Sequence, residues 1–113
     1  MYGTTTAMIG GKVRTLKFNI NADIEFERLH GLSGKSAEKR AEIASQIGTI
    51  EYIRDAVYCA LRAADLERGN EIDYNHFTVG DWITDLPQSE LERIIQSRDE
   101  SQPQTKPDKK KVK

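Results

Sequence analysis

Hydrophobic and polar residues alternate with a period of two near the N-terminus of the chain. Leu16, Phe18 and Ile20 are separated by single polar residues, a pattern typical of a strand with one apolar face. Upstream, Gly10 and Gly11 supply the positive φ angles that a two-residue hairpin loop needs. The pattern predicts an N-terminal β-hairpin, which must pack on helices because a lone hairpin is marginally stable.

The pattern then changes to helical spacing, with start and stop signals for two short helices. Asn21 is predicted to cap the first, whose first turn holds Asp23 and Glu25 at the favourable N-terminal end of the helix dipole. Gly31 is predicted to end this helix by taking a left-handed conformation. Ser36 is predicted to cap the second helix.

The strongest helical signal covers residues 49–67 and ends at Gly69. Its apolar side chains form two adjacent stripes, so the helix is apolar on more than half of its circumference. The stripes are Ile50, Ile53, Val57, Ala60, Leu61 and Ala64, and Tyr52, Ala56, Cys59 and Ala63. This pattern predicts a central helix with neighbours on two sides.

Two further helices are predicted before the chain becomes polar. Val79, Trp82 and Ile83 indicate a short helix, and Asp85 is predicted to cap a last helix with Ile94 on its apolar face. Residues 98–113 are polar and Lys-rich, which predicts a disordered basic tail. The fold class expected is α+β, mostly helical: an N-terminal β-hairpin followed by four to five helices, in one domain over residues 1–97.

Composition and charge exclude several functional classes. The 113 residues carry a net charge of −1, which argues against bulk binding to nucleic acid or an anionic membrane. The charge is uneven: residues 71–100 hold eight acidic and two basic side chains, and residues 101–113 hold five lysines and one aspartate. No secretory signal or membrane span is apparent. Cys59 is the single cysteine, so we expect no internal disulfide and a reducing cytoplasm.

Two short motifs resemble ligand-binding loops but lack required residues. Gly34-Lys35-Ser36 matches only the end of a P-loop, because Leu29 stands where the first glycine is needed. Residues 65–76 resemble a calcium loop, but Gly69 and His76 occupy positions that need side-chain oxygens. We therefore interpret both segments as interhelical loops.

Metal binding and catalysis have no sequence signature. His30, Cys59 and His76 are the soft metal ligands of the chain, and they do not have the short spacing of a zinc site. No nucleophile, base and orienting residue stand out together. We expect no metal, no cofactor and a non-enzymatic function.

The order of these elements resembles a known family, the short tail assembly chaperones of siphophages, over about residues 5–97. The resemblance is carried by the hairpin ending, the stop of the first helix, the long helix and the two C-terminal segments. These are Leu16-Lys17-Phe18, Leu29-His30-Gly31, Tyr58-Cys59-Ala60-Leu61, Val79-Gly80-Asp81-Trp82 and Leu86-Pro87-Gln88-Ser89-Glu90-Leu91.

The resemblance implies a helper of phage or prophage tail assembly in the host cytoplasm, absent from the mature virion. Its implied partners are the tape measure protein, which it keeps soluble, the tail tube protein, which it recruits, and further copies of itself. Partner contacts are predicted at Tyr52, Tyr74, Asp81, Asp85 and Glu90. Trp82 is expected in the core.

Two alternatives stay open at this point. One is another small phage structural protein, such as a head–tail completion factor, which would remain in purified virions. The other is a small regulatory or nucleic-acid-binding module, with the basic tail as a salt-sensitive contact. The eleven basic and fifteen acidic residues of positions 1–96 argue against the second alternative.

Overall fold

A computed structural model of the chain describes residues 3–101 and confirms the predicted fold class. An antiparallel two-stranded sheet precedes five helices. The elements are β1 (Thr4–Ile9), β2 (Lys12–Lys17), α1 (Ile20–Leu29), α2 (Ala37–Ser45), α3 (Thr49–Arg68), α4 (His76–Thr84) and α5 (Gln88–Ser101).

The hairpin turns at the glycine pair, as predicted. Gly10 and Gly11 have φ angles of 65° and 86°, and the strands pair from Ile9 opposite Lys12 to Thr4 opposite Lys17. Successive side chains alternate between two faces. Leu16 and Ile9 point into the core, while Met8 on the outer face is 61% exposed.

Helix α3 is the centre of the molecule and packs against β2, α1 and α4. Its wide apolar surface therefore has neighbours on more than one side, which confirms the prediction from its two stripes. The main core is Ala7, Ile9, Leu16, Phe18, Val57, Ala60, Leu61, Tyr74, Val79 and Ile94. Ile50 is the exception in the stripes, because it lies in the first turn of α3 and is 83% exposed.

The start of α1 differs from the prediction. The strand ends at Lys17, so Asn19 rather than Asn21 caps the helix, its Oδ1 accepting from the backbone N–H of Ala22 at 3.1 Å. Ile20 is consequently the first helical residue and is 72% exposed, instead of continuing the buried face of the strand.

The predicted loop between α1 and α2 is confirmed. Gly31 has φ 70°, and the next residue, Leu32, donates its N–H to the carbonyl of Glu27 at 2.7 Å, which closes the end of α1. Ser36 caps α2 by accepting from the backbone N–H of Lys39 at 3.2 Å. Helix α2 has no buried residue.

The last helix also corrects the prediction. Asp85 has helical backbone angles and forms the C-terminal cap of α4, so it does not start α5. Helix α5 continues to Ser101, and residues 98–101 are therefore helical rather than part of the predicted tail. The rest of that predicted tail, residues 102–113, lies outside the described residues. Arg93 fastens α5 to β1 by donating to Thr5 Oγ1 and to the Thr6 carbonyl, both at 2.7 Å.

Within residues 3–101, none of the helices combines the length and the apolar character that crossing a bilayer requires.

Candidate functional site

A cleft runs between α1, α3 and the end of α5, and we call it the Tyr52 cleft. It consists of two adjoining cavities that share Phe18, Tyr52, Ala56 and Arg98. The cavity towards α1 has a volume of about 310 Å³. Its lining adds Ala22, Asp23, Phe26, Glu27, Leu32, Ala44 and Cys59. The cavity towards α5 is smaller, about 50 Å³, and adds Ile53, Val57, Ile94 and Ile95.

Tyr52, in the first turn of α3, lines both cavities. Its ring lies 5.0 Å from the ring of Phe26 on α1. The guanidinium of Arg98 lies 4.7 Å from the centre of the Tyr52 ring and donates a hydrogen bond to its hydroxyl. The tyrosine therefore contacts both α1 and α5 through its ring and its hydroxyl.

The rim of the cleft is charged. Desolvation beside the cleft raises the pKa of Asp23, while the nearby Arg98 acts in the opposite direction. Glu27 pairs with Arg40 of α2 at 2.6 Å, and this hydrogen bond lowers the pKa of Glu27. Arg40 also donates to the carbonyl of Leu32 at 2.9 Å. An apolar floor with charges of both signs at its rim suits an amphipathic partner segment.

A second group of polar residues lies next to the cleft, and we call it the Asp55 cluster. Its members come from three elements: His30 from the end of α1, Glu51, Arg54 and Asp55 from α3, and His76 from the start of α4. Asp55 is 1% exposed and is the one buried charged residue in the described part of the chain. A buried charge is stable only when other groups compensate it.

One carboxylate oxygen of Asp55 is well satisfied. Arg54 Nε donates to Oδ1 at 2.7 Å, and this bond raises the pKa of Arg54. His76 Nδ1 lies 3.4 Å from the same oxygen and 3.1 Å from Arg54 Nη2. The guanidinium thus holds Oδ1 in place and fixes the orientation of the carboxylate.

The other oxygen of Asp55 faces His30 without a proper hydrogen bond. Oδ2 lies 2.8 Å from His30 Nε2, a distance that suits an ion pair, yet neither buried atom has a hydrogen-bond partner by direction. The angle matters as much as the distance, because a hydrogen bond at a poor angle is weak even when its two atoms are close. The ring of His30 packs against that of Phe26, with 4.6 Å between the ring centres and a tilt of 36°, so Phe26 connects this cluster to Tyr52.

The spacing of residues along the chain does not predict this cluster, because His30 and His76 are distant from Asp55 in the sequence. The signal that was available is Asp55 itself, which lies three residues after Tyr52 and four before Cys59, inside an apolar stripe of α3. Among the described residues, His30, Glu51 and Asp55 lie close enough together to bind one metal ion, and Cys59 is not part of this group. Burial raises the pKa of the Cys59 thiol to about 12, so it stays neutral and unreactive at physiological pH.

The two aromatic residues predicted to contact a partner have different positions. Tyr52 lines the cleft and is partly exposed. Tyr74 is 7% exposed and belongs to the main core, so it offers little surface for the predicted partner contact. Its hydroxyl donates to Asp65 Oδ2 at 2.5 Å and its ring packs 5.3 Å from Trp82, because the segment after α3 folds back on the core.

The three predicted acidic contacts do not line the Tyr52 cleft. Asp81 and Asp85 are exposed on and beside α4. Glu90 pairs with Arg93 at 2.7 Å, which lowers the pKa of Glu90 and neutralises its charge locally. Asp81 and Asp85 therefore remain as charges available to a partner outside the cleft.

Comparisons of the chain with protein-family models, with curated proteins and with solved structures give no match.

Proposed function

We propose that this protein is a tail assembly chaperone that binds the tape measure protein of a phage or prophage and recruits tail tube protein. It acts in the host cytoplasm and is left out of the mature virion. The observation that supports this proposal is the Tyr52 cleft, which offers aromatic and aliphatic side chains between helices. The hairpin and five helices, in the order that resembles the family, are consistent with it.

The two cavities of the cleft, about 310 and 50 Å³ in volume, suit a few side chains of a helix rather than a whole helix. A helix with side chains is about 10–12 Å wide, and it binds in a groove through residues spaced at i, i+3, i+4 and i+7. Phe18, Phe26 and Tyr52 would contact such apolar residues of the tape measure protein. Asp23 at the rim favours a basic residue of the partner, and Arg98 favours an acidic one.

Reversibility is a requirement of the function, since the chaperone must leave when the tail tube polymerises. Helix α2 borders the cleft through Ala44, contributes no buried residue, and contacts α1 through the Arg40–Glu27 ion pair. Exposed ion pairs of this kind contribute little to stability. Displacing α2 therefore widens the cleft at small energetic cost, which suits a site that exchanges partners.

Co-expression with the long helical protein encoded just downstream tests the proposal. If the protein is the chaperone, the partner stays in the soluble fraction and co-purifies with it, and purified virions do not contain it. A partner that stays insoluble while this chain elutes alone would remove the proposal. Detection of the chain in purified virions would instead favour a head–tail completion factor.

A further inference from the structure

We propose that His30, Glu51 and Asp55 bind one divalent transition metal ion that prefers octahedral coordination, such as Mn²⁺, Fe²⁺, Co²⁺ or Ni²⁺. The proposal does not depend on the proposed function. Each residue offers one ligand atom, and these atoms all lie within 4.8 Å of one another. One imidazole nitrogen with carboxylate oxygens is a donor set for first-row divalent ions rather than for Ca²⁺.

The backbone brings these ligands together on two helices. Glu51 and Asp55 are four residues apart on α3, so their side chains project from the same face of the helix. His30 is the C-terminal cap of α1, which packs against α3. Two carboxylates from one helical turn and a histidine from the neighbouring helix thus converge from different directions.

Unsatisfied buried atoms are the main evidence for a ligand at this place. The side chain of Asp55 is 1% exposed and that of His30 is 10% exposed. Buried polar atoms almost always have a hydrogen-bond partner, yet His30 Nε2 and Asp55 Oδ2 contact each other at 2.8 Å without the direction of a hydrogen bond. A cation bound by both atoms would remove this deficit, because it accepts electron pairs from the nitrogen and the oxygen at once.

The distance between the two atoms favours octahedral over tetrahedral coordination. Ligands bound at about 2.1 Å lie about 3.0 Å apart when they subtend a right angle and about 3.4 Å apart in a tetrahedron. His30 Nε2 and Asp55 Oδ2 are 2.8 Å apart, which is close to the right-angle value. Adjacent octahedral positions therefore fit these atoms better than a zinc tetrahedron.

The residues around the ligands support them. Arg54 holds Asp55 Oδ1 at 2.7 Å and so leaves Oδ2 facing His30 Nε2, and the ring of Phe26 packs against the His30 ring at a tilt of 36°. Outer contacts of this kind orient metal ligands and sustain affinity. Glu51 is exposed, which gives an ion access from solvent and leaves further coordination positions for water.

The charge balance is also favourable to a cation. The two carboxylates of Glu51 and Asp55 carry two formal negative charges, and the guanidinium of Arg54 compensates one of them. A divalent ion would compensate the remaining negative charge. Because the ion binds only the folded arrangement of α1 and α3, its binding stabilises the fold by mass action.

The test is a titration of the tag-free full chain, stripped of metal by chelation, with Co²⁺, followed by calorimetry and by visible absorption. We expect binding of one ion per chain, the weak absorption of octahedral Co²⁺, and a higher unfolding temperature with Co²⁺ present. The absence of binding up to about 1 mM Co²⁺, where affinity is negligible, would overturn the proposal. Strong absorption typical of a tetrahedral ion would overturn the octahedral site.

Variants locate the ion and keep the test independent of folding. Glu51→Gln changes an exposed side chain and is expected to weaken Co²⁺ binding at least about tenfold, as is His30→Gln. Glu38→Gln is the matched control on exposed α2 and should leave the affinity unchanged, and His76→Gln should retain binding. Unchanged affinity in both Glu51→Gln and His30→Gln would place the ion elsewhere and overturn the proposal.

Discussion

Arg98 lies over the ring of Tyr52, with its guanidinium 4.7 Å from the ring centre and a hydrogen bond to the tyrosine hydroxyl. This contact joins the last turn of α5 to the first turn of α3 across the middle of the Tyr52 cleft. Both residues are partly exposed, so the contact stabilises the cleft while remaining accessible to a partner.

Removing the arginine should loosen this junction. Arg98→Ala loses the contact with the ring and the hydrogen bond, and we expect a loss of about 1–2 kcal/mol in the free energy of unfolding. Urea denaturation measures this loss. Arg28→Ala is the matched control, because the Arg28 side chain is 68% exposed and forms its ion pair with Glu25 of the same helix. Equal stability of the two variants would contradict the role given to Arg98.

The hairpin loop offers a test of the packing between Gly10 and Trp82. A Cβ at Gly10 would lie 2.5 Å from ring carbon Cε2 of Trp82, whereas a Cβ at Gly11 would meet nothing within 4 Å. Both residues have positive φ, so alanine at either position is strained by about 1–2 kcal/mol. Gly10→Ala should lose about 1–3 kcal/mol more through overpacking. Thermal denaturation measures the two midpoints. Equal midpoints for Gly10→Ala and Gly11→Ala would contradict the close packing of Gly10 on Trp82.

Ile94 provides the sharpest test of the core. It is fully buried between α5 and the rest of the main core, so Ile94→Ala is expected to destabilise the protein by about 2–5 kcal/mol. Ile50→Ala is the control, since Ile50 is 83% exposed and its truncation should change stability by less than about 0.5 kcal/mol. Chemical denaturation of both variants checks the pair, and a small effect at Ile94 would mean that α5 is not docked as described.

Alkaline pH should destabilise the fold. Burial raises the pKa of Cys59 from 9.0 to about 12, and burial together with Asp65 raises the pKa of Tyr74. A raised pKa means that the folded state holds its proton more tightly, so the stabilisation is complete below the unfolded pKa and is lost as pH rises. We expect the urea midpoint to fall between pH 9 and 12. Cys59→Ala should reduce this fall, and a midpoint that is constant across the range would contradict it.

The sequence predicted those features whose physical cause is local. Gly31 and Gly69 end their helices because glycine accepts a left-handed backbone without strain, and that requirement can be recognised within a few residues. The choice between Asn19 and Asn21 was wrong because both are good caps, and the end of β2 decided between them. The prediction that Asp85 caps the last helix was also wrong. Asp85 lies between two helices, and its backbone continues the first of them.

The candidate sites were less predictable because they depend on tertiary contacts. Tyr52 and Tyr74 are equivalent as sequence signals, but the fold of the segment after α3 buries Tyr74 against Asp65. His30 and His76 come close to Asp55 only because α1 and α4 both pack on α3. No spacing rule within the sequence relates them.

The most direct test of the proposed function compares Tyr52→Ala with Phe77→Ala in the co-expression experiment with the downstream helical protein. Tyr52 lines the cleft, whereas Phe77 is an aromatic residue that is 68% exposed outside it. Circular dichroism first confirms that both variants are folded. We expect Tyr52→Ala to lose the partner from the soluble fraction and Phe77→Ala to retain it. Equal retention by the two variants would contradict the assignment of the Tyr52 cleft as the binding site.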